Sequence, residues 1–137
     1  MNVLYFDEFI SKVLRRKCNS DRLKEILDTV KSENDKLKET LGTIPAPELF
    51  ALVDDIFSVV NLRSRFIIIR HFPTHKMNSD ERNVIPYVSI LRIDYFITEK
   101  TDTLVLQTTK GDVELKGTDT DEKERLRKIY YRILDII

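Results

Sequence analysis

Glycine, proline, cysteine and tryptophan are scarce in this chain of 137 residues, which contains three, four, one and none of them. So few glycines exclude a Gly-rich phosphate-binding loop. The single cysteine, Cys18, excludes an internal disulfide and is consistent with a reducing compartment. No run of about 18 apolar residues occurs, and the first residues lack the basic segment of a signal peptide, so we expect a cytoplasmic protein without membrane insertion.

The chain also lacks net charge, with 23 Lys and Arg residues against 23 Asp and Glu residues. A positive excess is found only in residues 61–100, which carry seven basic and four acidic side chains. This excess is too small for a polybasic tract. The 42% share of hydrophobic residues is typical of a compact globular domain.

Apolar residues recur at three- and four-residue steps through most of the first 60 residues, which is the period of a helix. Three helices are predicted there, at about 6–17, 20–41 and 47–60. Asn19 or Ser20 is the expected N-cap of the second helix, and Gly42 is its expected C-cap. The third helix is apolar around most of its circumference, so we expect it to be buried, with Asp54 and Asp55 as its solvent-facing strip.

From residue 62 onwards the apolar period changes to two, which predicts a four-stranded antiparallel meander. Its strands are expected at about 62–72, 84–98, 103–109 and 112–117. Because the second of these is longer than a usual strand, we expect a bulge or a bend near Pro86 to Ser89. A C-terminal amphipathic helix over 120–137 is predicted to begin at a capping box of Asp119 and Glu122. Helices followed by antiparallel strands indicate an α+β fold.

The second predicted helix has a narrow apolar seam that contains one asparagine, a pattern typical of paired helices. The seam residues are Leu23, Leu27, Val30, Asn34 and Leu37. We expect them to face a protein partner, either in a homodimer or against other helices of the same fold. Residues 1–42 are accordingly predicted to form a helical hairpin, a candidate appended module, and residues 43–137 the α+β core domain.

The second half of the chain carries a recognisable order of elements. Ile85-Pro86-Tyr87-Val88-Ser89-Ile90 opens a strand, Thr103-Leu104-Val105-Leu106 follows, and a turn at Gly111 leads to Val113-Glu114-Leu115 and an amphipathic helix. In this order, residues 84–137 resemble the C-terminal half of a bacterial pleckstrin-homology-like domain. A complete domain of that family has seven strands in two sheets. The resemblance implies a scaffold that binds a protein or a lipid headgroup and has no catalytic apparatus.

The sequence offers no clear combination of nucleophile, base and oxyanion donor, so we assign no catalytic residue, no metal ligand and no cofactor. His71 and His75 are four residues apart, but Pro73 and the preceding strand exclude the helix that would pair them around a metal. We expect both histidines in an exposed loop. A small hydrolase or metal-dependent enzyme that uses them is the second alternative hypothesis.

Basic residues of the middle segment form a candidate nucleic-acid face, because Arg63, Arg65 and His71 share strand parity and could contact phosphates. With the neighbouring loop and strand, the candidate residues are Arg63, Arg65, His71, Lys76 and Arg82. A pI near 6.7 is low for a nucleic-acid-binding domain. The leading hypothesis is therefore a non-catalytic intracellular interaction or regulatory module that binds a protein partner, and nucleic-acid binding is the first alternative.

Overall fold

The structure of the chain is a computed structural model that describes residues 6–42, 47–75 and 80–137. Its helices are α1 (Phe6–Phe9), α2 (Arg15–Lys17), α3 (Ser20–Leu41) and α4 (Thr120–Ile136), with a π-helical segment at Ile10–Leu14. Its strands are β1 (Leu49–Val53), β2 (Ile56–Leu62), β3 (Phe66–Pro73), β4 (Glu81–Pro86), β5 (Ile90–Ile97), β6 (Asp102–Thr108) and β7 (Gly111–Gly117). The predicted α+β class and the C-terminal helix are confirmed.

The helix predicted over 47–60 is wrong, because this segment is the hairpin of β1 and β2, paired from Leu49 with Val60 to Val53 with Ile56. Asp54 and Asp55 are its two-residue turn, not the solvent-facing strip of a helix. Their φ angles of 53° and 60° are both positive, as a type I′ hairpin turn requires.

The reason for this error is that the first sheet is covered on both faces. Leu49 and Ala51 belong to the core between the two sheets, whereas Phe50 and Leu52 pack against the N-terminal helices. A strand that is buried on both sides is apolar at nearly every position and does not alternate. Its sequence pattern is therefore the same as that of a buried helix.

The strands form two antiparallel sheets, one of four strands in the order β1-β2-β3-β4 and one of three in the order β5-β6-β7. A four-stranded meander is thus present, but it lies earlier in the chain than predicted, and the last two predicted strands belong to the second sheet. The long strand predicted over 84–98 is divided by a 3₁₀ turn at Tyr87–Ser89, which confirms the expected bend. The hydroxyl of Tyr87 donates to the backbone oxygen of Arg63 at 2.6 Å and holds this corner in place.

The inner core lies between the two sheets and is covered by α4, which buries Leu126, Ile129 and Ile133. The predicted capping box is confirmed: the Glu122 amide donates to Asp119 Oδ1 at 2.7 Å, and Glu122 Oε1 accepts from the Asp119 amide. A Cβ atom at Gly117 would lie 2.9 Å from the backbone of Glu122, so only glycine permits this close approach of β7 to α4.

The outer core lies between the first sheet and the N-terminal helices. Its buried side chains are Phe9, Leu14, Ile26, Phe50, Phe57, Val59 and Phe72. The predicted caps of α3 are confirmed: Asn19 Oδ1 accepts from the backbone of Arg22 at 2.8 Å, and Gly42 has a φ of 78°. Residues 9–30 and the sheet therefore share one hydrophobic cluster, and the division into an appended module and a core domain stays a prediction.

Substitutions in the β1–β2 turn distinguish the hairpin from a helix. Asp55→Gly should raise the free energy of unfolding by about 1 kcal/mol, because glycine adopts a positive φ without a Cβ clash. Asp55→Ile should lower it by about 1–2 kcal/mol, since a β-branched side chain is strained there. Urea denaturation measures both changes. Helical residues would show the reverse order, with isoleucine tolerated and glycine destabilising.

Candidate functional site

The predicted seam of α3 lies at the margin of the buried face of this helix, and other residues form the centre of that face. Arg22 and Ile26 are 1% and 0% exposed, whereas the seam residues are half-buried. Leu23 and Val30 pack at the rim of the outer core. The remaining seam residues, half-buried like the first two, are Leu27, Asn34 and Leu37. Part of the seam thus faces the protein's own fold, and a homodimer through the rest stays a prediction.

Arg22 fixes α3 to the end of the first sheet. Its Nε donates to the backbone oxygen of Pro73 at 2.8 Å, and Nη1 donates to Glu25 at 2.7 Å. Its Nη2 donates to the carboxylate of Asp80, just before β4. A buried guanidinium needs such a complete set of acceptors, because desolvation of an unpaired charge is costly.

The candidate nucleic-acid residues do not meet on one surface. Arg63 and Arg65 lie in the turn between β2 and β3, and His71 is roughly 20 Å further along β3. Arg82 lies on the opposite face of the sheet, where its Nη2 donates to Glu33 of α3 at 2.9 Å. Lys76 lies outside the described residues. Nucleic-acid binding stays a prediction that this placement does not favour.

A cleft of about 740 Å³ opens between the first sheet and the turn that joins β6 to β7. Its lining in the first sheet includes Ile56, Ser58, His71, Glu81 and Asn83, and the opposite wall is formed by residues 108–114. This volume lies within the range of ligand-binding sites. We call this feature the sheet cleft.

Ser58, His71 and Glu81 form a row across the sheet cleft, because they are register partners on β2, β3 and β4. A hydrogen bond of 2.7 Å joins Ser58 Oγ and His71 Nδ1. Burial lowers the pKa of His71, and the nearby charge of Glu81 raises it by a smaller amount. The imidazole is therefore neutral at pH 7 and serves as a hydrogen-bonding group.

A serine beside a histidine and a carboxylate invites comparison with nucleophilic catalysis. Acyl transfer also needs free N–H donors for the oxyanion. Ser58 lies in the middle of β2, which is paired with β1 on one side and β3 on the other, so the N–H groups around it belong to the two ladders. The row is better suited to hydrogen bonding with a ligand than to catalysis.

The two histidines are separated by the structure. His71 lies half-buried in β3, so its expected place in an exposed loop is wrong, whereas His75 is exposed beyond the end of that strand. His75 does not line the sheet cleft. In the described ranges, no group of three His, Cys, Asp or Glu side chains is placed to hold a metal ion.

A second concave surface lies at the corner where β4 passes to β5. It is an apolar groove of about 590 Å³ that continues to the C-terminal end of α4. Its lining residues are Ser64, Arg65, Pro86, Tyr87, Val88, Ile90, Ile136 and Ile137. We call it the corner groove. Val88 is 96% exposed there, and Leu91, three residues along the chain, is 71% exposed.

Sequence reasoning missed both concave surfaces. Ser58 was assigned to a helix, and its neighbours His71 and Glu81 are 13 and 23 residues away in the chain. Only strand register brings such residues together. Ser58 did carry one signal, since it is a small polar residue within an otherwise apolar run.

Residues 6–42, 47–75 and 80–137 thus contain seven antiparallel strands in two sheets, with helices before and after them. None of the helices, over the part of the chain that the structure describes, combines the length and apolarity needed to cross a bilayer. Comparisons of the chain with protein-family models, curated proteins and solved structures find no match. The candidate binding surfaces are the sheet cleft, the corner groove and the half-buried seam of α3.

The contacts of Arg22 predict a large loss of stability on substitution. Arg22→Leu should lower the free energy of unfolding by about 3 kcal/mol, because it leaves Asp80 and the Pro73 carbonyl without their donor. Arg82→Leu is the matched control, since it removes a half-exposed arginine that also contacts α3, and should cost less than about 1 kcal/mol. Urea denaturation measures both, and equal losses would contradict a special role for Arg22.

The lowered pKa of His71 predicts a pH dependence of stability. Well above pH 6.5 the residue is neutral in both states, and as the pH falls through 6.5 the unfolded chain takes up the proton first. Stability should therefore fall from pH 7 to pH 5 by more in the wild type than in His71→Asn. Urea midpoints at several pH values measure the difference between the two proteins. A difference that stays constant with pH would show that His71 titrates normally.

Proposed function

We propose that this chain is a non-catalytic interaction module that binds a protein partner through the corner groove. The observation that carries the proposal is the exposure of large apolar side chains around this groove. Val88 is almost fully exposed there, and about half of Ile136 and of Ile137 is exposed. Burial of apolar surface contributes about 25 cal/mol per Å², and contiguous patches of this kind mark interaction sites.

The composition of the corner groove supports a protein as the ligand. Its walls are mainly aliphatic and aromatic, with Arg65 and Ser64 as polar lining residues. An apolar centre with a polar rim is the usual anatomy of a protein–protein interface, where arginine is enriched. An apolar partner side chain inserted beside Val88 would displace water from both surfaces.

The architecture also supports the resemblance to pleckstrin-homology-like domains, which we retain as part of the proposal. Seven strands in two sheets followed by an amphipathic helix correspond to what that resemblance implies. Of its two implied ligands, a protein is favoured over a lipid headgroup. The sheet cleft is lined by four carboxylates and only two lysines, so it would repel phosphate groups.

The module is proposed to act in the cytoplasm. Cys18 is its single cysteine and can form no internal disulfide. Burial also raises the pKa of the Cys18 thiol, which keeps it in the less reactive protonated form.

Affinity capture followed by quantitative mass spectrometry tests the corner groove. The bait proteins are the wild type, the double variant Val88→Lys/Ile136→Lys, and Phe96→Lys. The double variant should lose at least about tenfold of a defined partner, because it places unpaired charges in an apolar contact. Thermal unfolding should show that all three baits are folded.

Phe96→Lys is the matched control for this experiment. Phe96 is an exposed apolar residue of β5, 55% exposed and roughly 17 Å along the strand from Leu91. It should retain the partner at the wild-type level. Equal recovery of the same proteins with all three baits would contradict binding through the corner groove.

A further inference from the structure

β4 presents an open edge to the sheet cleft. It pairs with β3 on one side, and among the described strands nothing pairs with its other side. Four consecutive residues, 83–86, line the cleft, although successive side chains of a strand point to opposite faces. The cleft therefore contacts the edge of β4, where alternate N–H and C=O groups point away from β3.

The charges around this edge are predominantly negative. The sheet cleft is lined by Asp54, Glu81, Asp112 and Glu114 against Lys110 and Lys116. Lys116 Nζ lies 3.8 Å from Asp54 Oδ2, so these two residues form an ion pair. The remaining lining charges are three carboxylates and one ammonium group. Within the described ranges, Glu81, Asp112 and Glu114 take part in no ion pair.

The volume and shape of the cleft select among cationic ligands. About 740 Å³ is far more than one ammonium group fills, and the row from Ser58 to Glu81 offers neutral hydrogen-bonding groups beside the charged ones. An extended peptide uses all of these features, because its backbone pairs with the strand edge while alternate side chains enter the cleft.

We infer that the sheet cleft binds an extended, lysine- or arginine-bearing segment of a protein, which pairs with the edge of β4 and directs its cations towards Glu81, Asp112 and Glu114. Pro86, at the end of β4, limits this pairing to residues 81–85, since it has no N–H group to donate. The inference shares with the proposed function only that the partner is a protein, and it concerns a different surface.

Fluorescence anisotropy with labelled eight-residue peptides tests this inference. The probe alternates lysine and valine. The comparison peptides replace its lysines with glutamate or carry N-methyl groups on alternate backbone amides. The basic peptide should bind, and binding should weaken between 50 and about 300 mM salt because exposed charges are screened. The glutamate and N-methylated peptides should bind at least about tenfold more weakly, because the first is repelled and the second cannot complete the ladder.

Two double variants of equal charge locate the binding site. Glu81→Gln/Asp112→Asn removes two carboxylates of the cleft and should weaken binding of the basic peptide about tenfold. Glu99→Gln/Asp135→Asn removes two exposed carboxylates elsewhere and should leave the affinity unchanged. Amide chemical shifts of β4 and residues 109–113 should change when the peptide is added to the wild type.

Three results would overturn the inference: equal binding of the acidic or N-methylated peptide, equal affinity of the two double variants, or no binding. The basic peptide would occupy the corner groove if Val88→Lys/Ile136→Lys abolished its binding while Glu81→Gln/Asp112→Asn left its binding unchanged. That outcome refutes the cleft as its site and supports the proposed function. If Val88→Lys/Ile136→Lys loses the cellular partner but binds the basic peptide as the wild type does, both the proposed function and the inference are supported, because the two surfaces are then independent.

Discussion

Coverage of the first sheet on both faces is the constraint on which the rest of this structure depends. The inner face packs against the second sheet and α4, and the outer face packs against the N-terminal helices. Arg22 secures the outer layer, since its guanidinium joins α3 to Pro73 and Asp80 at the end of the sheet. Without this layer, the aromatic side chains of Phe57 and Phe72 would be exposed to water, at a cost that a small domain cannot offset.

The same arrangement distributes the charges. On the outer face of the sheet, Arg70 and Arg82 both contact Glu33 of α3, so two of the seven basic side chains of residues 61–100 share one carboxylate of the N-terminal helices. Of the four carboxylates around the sheet cleft, Asp54 pairs with Lys116, whereas the other three take part in no ion pair among the described residues. A chain with no net charge thereby acquires one acidic concave surface and one apolar one, and the two binding proposals depend on these surfaces.

The candidate surfaces were harder to predict than the elements that form them. The corner groove depends on the bend at Tyr87–Ser89, which strand length indicated, and on the end of α4, which periodicity indicated. The sequence could not predict that this bend and the end of α4 lie side by side, because a local pattern does not show which elements are adjacent in space. To predict the contact between Ser58 and His71, the register of β2 and β3 must be known. Because the sequence predicted a helix over residues 47–60, β2 was not among the expected strands at all.

Local chemistry alone determined the parts of this protein whose interactions span only a few residues: the caps of α3 and α4, the bend after Pro86, and the β6–β7 hairpin turn. Tertiary structure decided that residues 49–62 are strands and that the meander is divided between two sheets. The physical reason is that a segment buried on every side has no polar face. Without that contrast, helix and strand have the same apolar pattern, and only the layers packed around the segment distinguish them.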